Sequence, residues 1–421
     1  MQKMRKMKDS GIEWIGEIPE GWEVGQIGQL YSERRTKVSD KNYPPLSVTM
    51  KGILPQLSTA AKTDAHDDRK LVCKGDFAIN SRSDRRGSCG ISEQDGSISL
   101  INTVLQPRGE MNPRYYNWLF HTSMFADEFY KWGHGIVDDL WTTGWSDMKK
   151  IGVPVPSKCE QKQIAEHLNF ECSHIDSILS KTRASIEEYK KLKQAVITQA
   201  VTKGVRGERE MKDSGVEWIG EIPVDWEISR IKYVSIFEPS CDFRKLTPET
   251  IITYSPMECI KNGTFERRTS LYGNLAHTLT PFQNGDIVMA KVTPCFENGN
   301  IAIMNELQSG YGLGSSELFV FRPQNINTRY LFYWLQNKLF VHQACATMTG
   351  TGGLKRISPS FVKNCNIHYP STAEQAQIAA YLDTKCAEID KLIAKKEQLV
   401  KELDSYKKSL IYEVVTGKRE V

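Results

Sequence analysis

The chain has 421 residues, 40% of them apolar and 25% charged, with a formal net charge of +4. That is the composition of a globular protein long enough for roughly two to four domains, each burying its own core. It excludes a disordered chain, a bilayer-spanning helix (no apolar run is long enough) and a disulfide scaffold, because the ten cysteines are scattered without a Cys-x-x-Cys.

The first residues, Met1 to Lys8, are basic but no apolar stretch follows, so a signal peptide is not expected and a reducing cytoplasm is. Met7-Lys8-Asp9-Ser10-Gly11-Ile12-Glu13-Trp14-Ile15-Gly16-Glu17-Ile18-Pro19 then recurs from Met211 to Pro223, with one conservative change in thirteen positions. A match this close marks an internal duplication. Trp14 and Trp218 within it are expected to be packing anchors.

Residues 20 to about 156 predict a mixed domain of short strands. Turn signals recur at Tyr43-Pro44-Pro45, Lys74-Gly75-Asp76, Arg86-Gly87, Gln94-Asp95-Gly96 and Gln106-Pro107. Strands are expected at Phe77-Ala78-Ile79 and Ile98-Ser99-Leu100-Ile101, and a helix from Pro113. Twelve basic residues face seven acidic ones between positions 31 and 90, an excess that suits a phosphate-facing surface.

After Pro154-Val155-Pro156 comes the strongest local pattern, a long amphipathic helix. Steps of seven from Leu168 reach Ile175, Thr182, Tyr189 and Val196; a track three residues on reaches Ile178, Ser185 and Leu192. The second copy has the same plan: Gly285-Asp286-Ile287-Val288-Met289 mirrors the strand at Phe77, and Thr328 to Leu335 mirrors the helix at Pro113. His368-Tyr369-Pro370 again precedes a helix, whose tracks are Leu382, Ile389, Lys396, Leu403, Leu410 and Leu392, Leu399, Tyr406. Glu160-Gln161-Lys162-Gln163-Ile164-Ala165 returns as Glu374-Gln375-Ala376-Gln377-Ile378-Ala379. Cys172 and Cys386 take equivalent helix positions and are expected to be small packing residues.

The expected architecture is therefore α+β, a pseudo-two-fold tandem repeat in which two mixed α/β domains are joined by two long helices. Its parts are a first domain at 1–157, a helix at 158–204, a second domain at 205–371 and a helix at 372–421. A helix of about 40 residues would extend about 60 Å. Alone it could not keep its apolar stripe from water, so it needs a partner. The natural partner is the other helix, as an antiparallel coiled coil with one globular domain at each end; a separate protein is the competing partner.

Catalytic signatures are absent. Tyr43-Pro44-Pro45-Leu46 lacks both flanking residues of an adenine-methylating motif, and Gly310-Tyr311-Gly312-Leu313-Gly314 precedes no Lys-Ser/Thr. No Gly-x-Ser-x-Gly, His-Glu-x-x-His or Walker A sequence occurs. No catalytic and no metal-ligating residue is therefore expected, nor a cofactor bound by this chain.

The twice-used opening motif resembles that of the specificity subunits of type I restriction-modification systems. So does Pro-x-x-x-Glu-Gln-x-x-Ile-Ala-x-x-Leu, present from Pro156 to Leu168 and from Pro370 to Leu382. The resemblance covers the chain in the family's order of target recognition domain, conserved helix, target recognition domain, conserved helix. It implies a non-catalytic reader of double-stranded DNA, binding one half of a split, asymmetric site with each domain. It further implies docking of two methyltransferase subunits, which use S-adenosylmethionine to modify adenine, and of restriction/translocase subunits using ATP and Mg. A cytoplasmic bacterial or archaeal setting goes with this. A coiled-coil scaffold binding only proteins and a fused or stand-alone restriction enzyme are the alternatives.

Base edges are read by hydrogen bonds and phosphates by cations, so both residue types should gather on loops. In the first domain these are Ser81, Arg82, Ser83, Arg85 and Arg86, with Thr142 and Thr143 on a second loop. The second domain offers Lys291, Thr293 and Asn298, and then Thr349, Thr351, Lys355 and Arg356 among glycines that would permit close approach to a phosphate.

Overall fold

The structure is a computed structural model that describes residues 5–56, 67–82, 85–136, 141–261, 263–276, 278–350 and 353–421. Contacts divide the chain into two compact units, Met1–Arg183 with Gln398–Val421, and Ala184–Glu397. Each contains one copy of the duplicated motif, and its residues explain its shape. The Asp9 carboxylate accepts the N–H of Gly11 at 2.9 Å and Ser10 Oγ accepts that of Ile12 at 3.1 Å; Asp213 and Ser214 repeat both bonds at 2.9 and 3.2 Å. Gly11 and Gly215 sit at φ +70° and +64°, where a side chain would be strained. The turn pairs Met7–Asp9 with Glu17–Pro19, and Met211–Asp213 with Glu221–Pro223. Trp14 is buried and Trp218 half-buried, each against its own unit's core.

In the first unit an antiparallel sheet has the order Cys89–Ile91, Phe77–Asn80, Asn102–Pro107, Tyr31–Glu33. Asp76, just before the central strand, is buried and pairs with Arg34 at 2.6 Å. Helix Pro113–Phe120 starts where expected, with Asn112 accepting the N–H of Arg114 and proline in the first turn. It lays Tyr115, Tyr116, Leu119 and Phe120 on one face, against Tyr31 and Phe77. The strand expected over Ile98 to Ile101 is corrected: strands run Gly96–Ile98 and Asn102–Pro107, and Leu100 and Ile101 lie in the turn between them. Local apolarity suggested a strand there, whereas the pairing of Asn102 with Asn80 decides where the ladder begins.

The second unit repeats the sheet in the order Ile301–Ile303, Ile287–Ala290, Leu318–Pro323, Ser235–Phe237. Asp286 again precedes the central strand and pairs with Arg322 at 2.8 Å. A second sheet, Arg268–Leu271, Ile251–Ser255, Tyr311–Gly314, Thr280–Gln283, contains a parallel pair and takes up the Gly310 segment. His368 lies in the strand that closes the domain, stacked on Trp226, with Nε2 2.9 Å from the Val201 carbonyl. Burial pushes its pKa down to about 4, only partly offset by that hydrogen bond. Between pH 6.5 and 4 the unfolded chain binds a proton that the folded unit refuses, so stability falls as pH falls through this window. We expect about 3 kcal/mol to be lost from the second unit, with His368→Gln removing that component, as followed by hydrogen exchange against pH. A flat profile in the unsubstituted protein would exclude it.

The long helices span Lys158–Lys203 and Thr372–Val415. Within the first unit Asp176 pairs with Lys407 at 2.6 Å and Arg183 with Asp404 at 3.0 Å, so the two helix segments there run antiparallel. Lys193 meets Asp390 at 2.7 Å in the second unit, which is the Asp176–Lys407 pair repeated by the duplication. Such part-exposed pairs contribute only about 0.2–1 kcal/mol each, and apolar burial does more. Leu168, Ile175, Leu382, Ile389 and Leu410 are buried, and Ile178, Tyr189, Val196 and Leu403 half-buried. Leu192, Leu392, Leu399 and Tyr406 are corrected: they stand 41–48% exposed. The companion track lies four residues on instead of three, through Cys172, Leu179, Ile186 and Ala200, and through Cys386, Val400 and Val414. A heptad alternates steps of three and four, and only the partner's side decides which comes first. Among the described residues, no helix is long and apolar enough to cross a membrane.

Candidate nucleic-acid interface

At the end of the Phe77–Asn80 strand, Asn80 turns the chain by accepting the N–H of Arg82 at 3.0 Å. Ser81 Oγ meets Thr103 Oγ1 at 2.9 Å, and the Ser81 carbonyl takes the N–H of Thr143 at 2.9 Å. Arg82 and His134 both form bridges with Thr142. The two sequence-predicted loops thus lie side by side as a small platform at one end of the sheet. Gly133 lets its hairpin close, since a Cβ there would stand 2.2 Å from Trp141 Nε1.

Arg82, Arg85 and Thr142 are exposed on this platform. Arg86 is turned aside, its guanidinium 3.7 Å from the Tyr130 ring centre and bonded to Asp127 at 3.2 Å. Thr143 is buried and donates to the Phe129 carbonyl at 2.7 Å, so its hydroxyl shapes the loop and is not presented outward. Ser83 falls outside the described residues, as does Thr351 in the second unit. A cavity of about 10 Å³ beneath Arg82 and Arg86 has room for about one water, so the platform offers a surface and no small-molecule pocket.

The second unit builds the same platform from other residues. Ile357 donates to the Lys291 carbonyl at 2.9 Å, as Thr143 does to Ser81, and Arg356 bridges to Val292 and Thr349, as Thr142 does to Arg82 and His134. Position by position, Lys291 stands for Ser81, Val292 for Arg82, Thr349 for His134 and Arg356 for Thr142. Thr293 locks the loops together, accepting the N–H of Lys355 at 2.9 Å and donating to the Gly353 carbonyl at 3.0 Å. Thr349, Lys355 and Arg356 are exposed. Asn298 lies apart, lining an open groove of about 470 Å³ with Met257, Glu258, Lys261, Cys295 and Asn300. Gly350 serves its own hairpin, where a Cβ would come 2.3 Å from the Leu354 carbonyl oxygen.

Two residues escaped the sequence reasoning. His134 gains its place only through pairing with Thr142. Glu317 precedes the Leu318–Pro323 strand and takes the Arg356 guanidinium through both carboxylate oxygens, at 2.9 and 2.6 Å. Those hydrogen bonds hold the Glu317 pKa below the usual carboxylate range and raise that of Arg356. The two residues are 39 positions apart, beyond any local pattern.

Comparison with known proteins agrees with this layout. Residues 223–402 match the family model of the type I restriction modification DNA specificity domain. The Type I restriction enzyme EcoEI specificity subunit of Escherichia coli is 32% identical over 163 residues, 38% of this chain; the match spans only 27% of that relative's length. The Type I restriction enzyme MjaVIII specificity subunit of Methanocaldococcus jannaschii is 24% identical, across 96% of this chain and 94% of that one. The fold is shared with a chain from a structure addressing complex assembly and conformational transition of the type I R-M system, with a TM-score of 0.72 at 12% identity, covering 96% of this chain and 99% of that one. The motifs, the doubled architecture and these likenesses agree: residues 223–402 match a type I restriction-modification DNA specificity domain, and the chain along its length is similar to the specificity subunits of such systems.

Proposed function

We propose that this chain is the non-catalytic, sequence-reading subunit of a type I restriction-modification complex. It binds a bipartite, asymmetric site in double-stranded DNA, each platform reading one half. The observation that carries this is the pair of platforms, alike in backbone register and different in exposed side chains: Arg82, His134 and Thr142 against Thr349, Lys355 and Arg356. A common frame with exchanged hydrogen-bonding groups is what reading two different half-sites requires.

The long helices pair as an antiparallel coiled coil and dock two adenine-N6 methyltransferase subunits, with restriction/translocase subunits joining them. Leu192 and Tyr406, equivalent by the duplication and both left off the helix seam, suit contact with two copies of one partner. S-adenosylmethionine, ATP and Mg belong to those partners, in the cytoplasm of a bacterium or archaeon. The competing scaffold reading needs no DNA preference.

A gel shift with this chain and its modification subunit separates the two. Sequence-selective retention is expected, with affinity falling about a thousandfold between about 50 and 200 mM salt. Retention without sequence preference, or none, sinks the DNA-reading function.

A further inference from the structure

In the second unit Glu317 grips Arg356 by its Nε and Nη2, at 2.9 and 2.6 Å. Both backbones are fixed. The Arg356 N–H and carbonyl pair with Thr349 at 2.8 and 3.0 Å, while the Glu317 carbonyl accepts from Lys291 at 3.0 Å and its N–H donates to Ser315 Oγ at 3.2 Å. The guanidinium is planar, so a carboxylate on the Nε–Nη2 edge leaves the other edge, Nη1 with the remaining Nη2 proton, as two parallel donors. The Arg356 side chain is 48% exposed and that of Glu317 is 29% exposed, so the free edge can be reached from outside. Two parallel donors match the O6 and N7 acceptors of guanine in the major groove. The pair is also neutral as a unit, which makes it a poor phosphate clamp and favours base recognition over backbone binding.

From this geometry we infer that Glu317 is a positioning residue that presents Arg356 to a guanine in the second half-site. The inference rests on the DNA-reading function proposed above. Holding the guanidinium before binding removes part of the cost of immobilising a long side chain at the interface. At the equivalent places the first platform has Thr142 for Arg356 and Ile101 for Glu317, so it has no such reader. The first half-site is therefore an internal control.

The test is site selection from a DNA library randomised in both half-sites, using the full chain with its modification subunit. The unsubstituted protein should select a guanine at one position of the second half-site. Arg356→Lys keeps the charge but loses the planar fork; it should reduce that preference about 10- to 100-fold while leaving salt dependence and the first half-site unchanged. Glu317→Ala should relax the same position and strengthen unspecific binding by removing a negative charge, and Glu317→Gln, which can still accept one bond, should recover part of the preference. Thermal melting of each variant checks folding. Unchanged guanine selection by Arg356→Lys, or no guanine selected in the second half-site, overturns the inference alone. Absence of selection at both half-sites overturns the DNA-reading function.

Discussion

Val414→Asp should unfold the first unit and leave the second folded. Val414 lies near the end of the second long helix, yet it is fully buried in the first unit's core with Trp14, Trp22, Leu168 and Tyr115. Leu410 and Val415 are buried beside it, Tyr115 donates its hydroxyl proton to the Val415 carbonyl at 2.7 Å, and Tyr412 donates to that of Ile15 at 3.1 Å. A carboxylate placed there loses water without gaining a partner, and the loss of the valine adds a packing defect. Together these should exceed about 4 kcal/mol, against a total stability of about 5–15 kcal/mol for a domain. Ala200, the equivalent position on the first long helix, is buried in the second unit's core, so Ala200→Asp should produce the mirror result. Hydrogen exchange followed by fragment would show protection lost from residues 14–183 in one variant and from residues 184–397 in the other. Equal loss in both units would refute this division of the cores.

Under the proposed DNA-reading function, exchanging residues 25–150 for those of a related specificity subunit should change the first half-site only. That segment contains the whole first platform, including Arg82, His134 and Thr142, while Lys291 to Arg356 are untouched. Specific protein–DNA binding is about 10³- to 10⁷-fold tighter than unspecific binding, and each mismatched base pair costs about 1–3 kcal/mol. The exchanged protein should therefore lose the original first half-site by at least about a hundredfold and keep the original second one. Sequencing selected or methylated sites from the reconstituted complex measures both halves at once. A change in both would mean that the domains do not read independently.

Much of this organisation is legible in the sequence, and for identifiable reasons. The opening motif is local chemistry, with Asp9, Ser10 and Gly11 making a turn within four residues, so its repetition at Asp213 reports the same turn. Helix Pro113–Phe120 announces itself through Asn112 and Pro113. The two loops could be named because a strand end and a glycine-rich hairpin each leave a local mark. What one loop presents to the other could not be, because Thr143 points inward only after Phe129 offers its carbonyl. Arg86 likewise turns aside only because Tyr130 and Asp127 lie under it.

By itself the sequence determined the duplication, the strand-and-helix plan of each copy, the long helices and the places of the candidate loops. Each of these follows from residues within about one helical turn or one strand length of one another, or from a direct repeat. Tertiary structure alone decided which helix face is buried, leaving Leu192 and Leu399 outside and taking Leu179 and Val400 inward. It also decided that Val414 completes a core begun by Trp14, and that Glu317 governs Arg356. Burial and pairing are properties of surfaces brought together from distant parts of the chain, and no spacing within one segment encodes which partner will arrive.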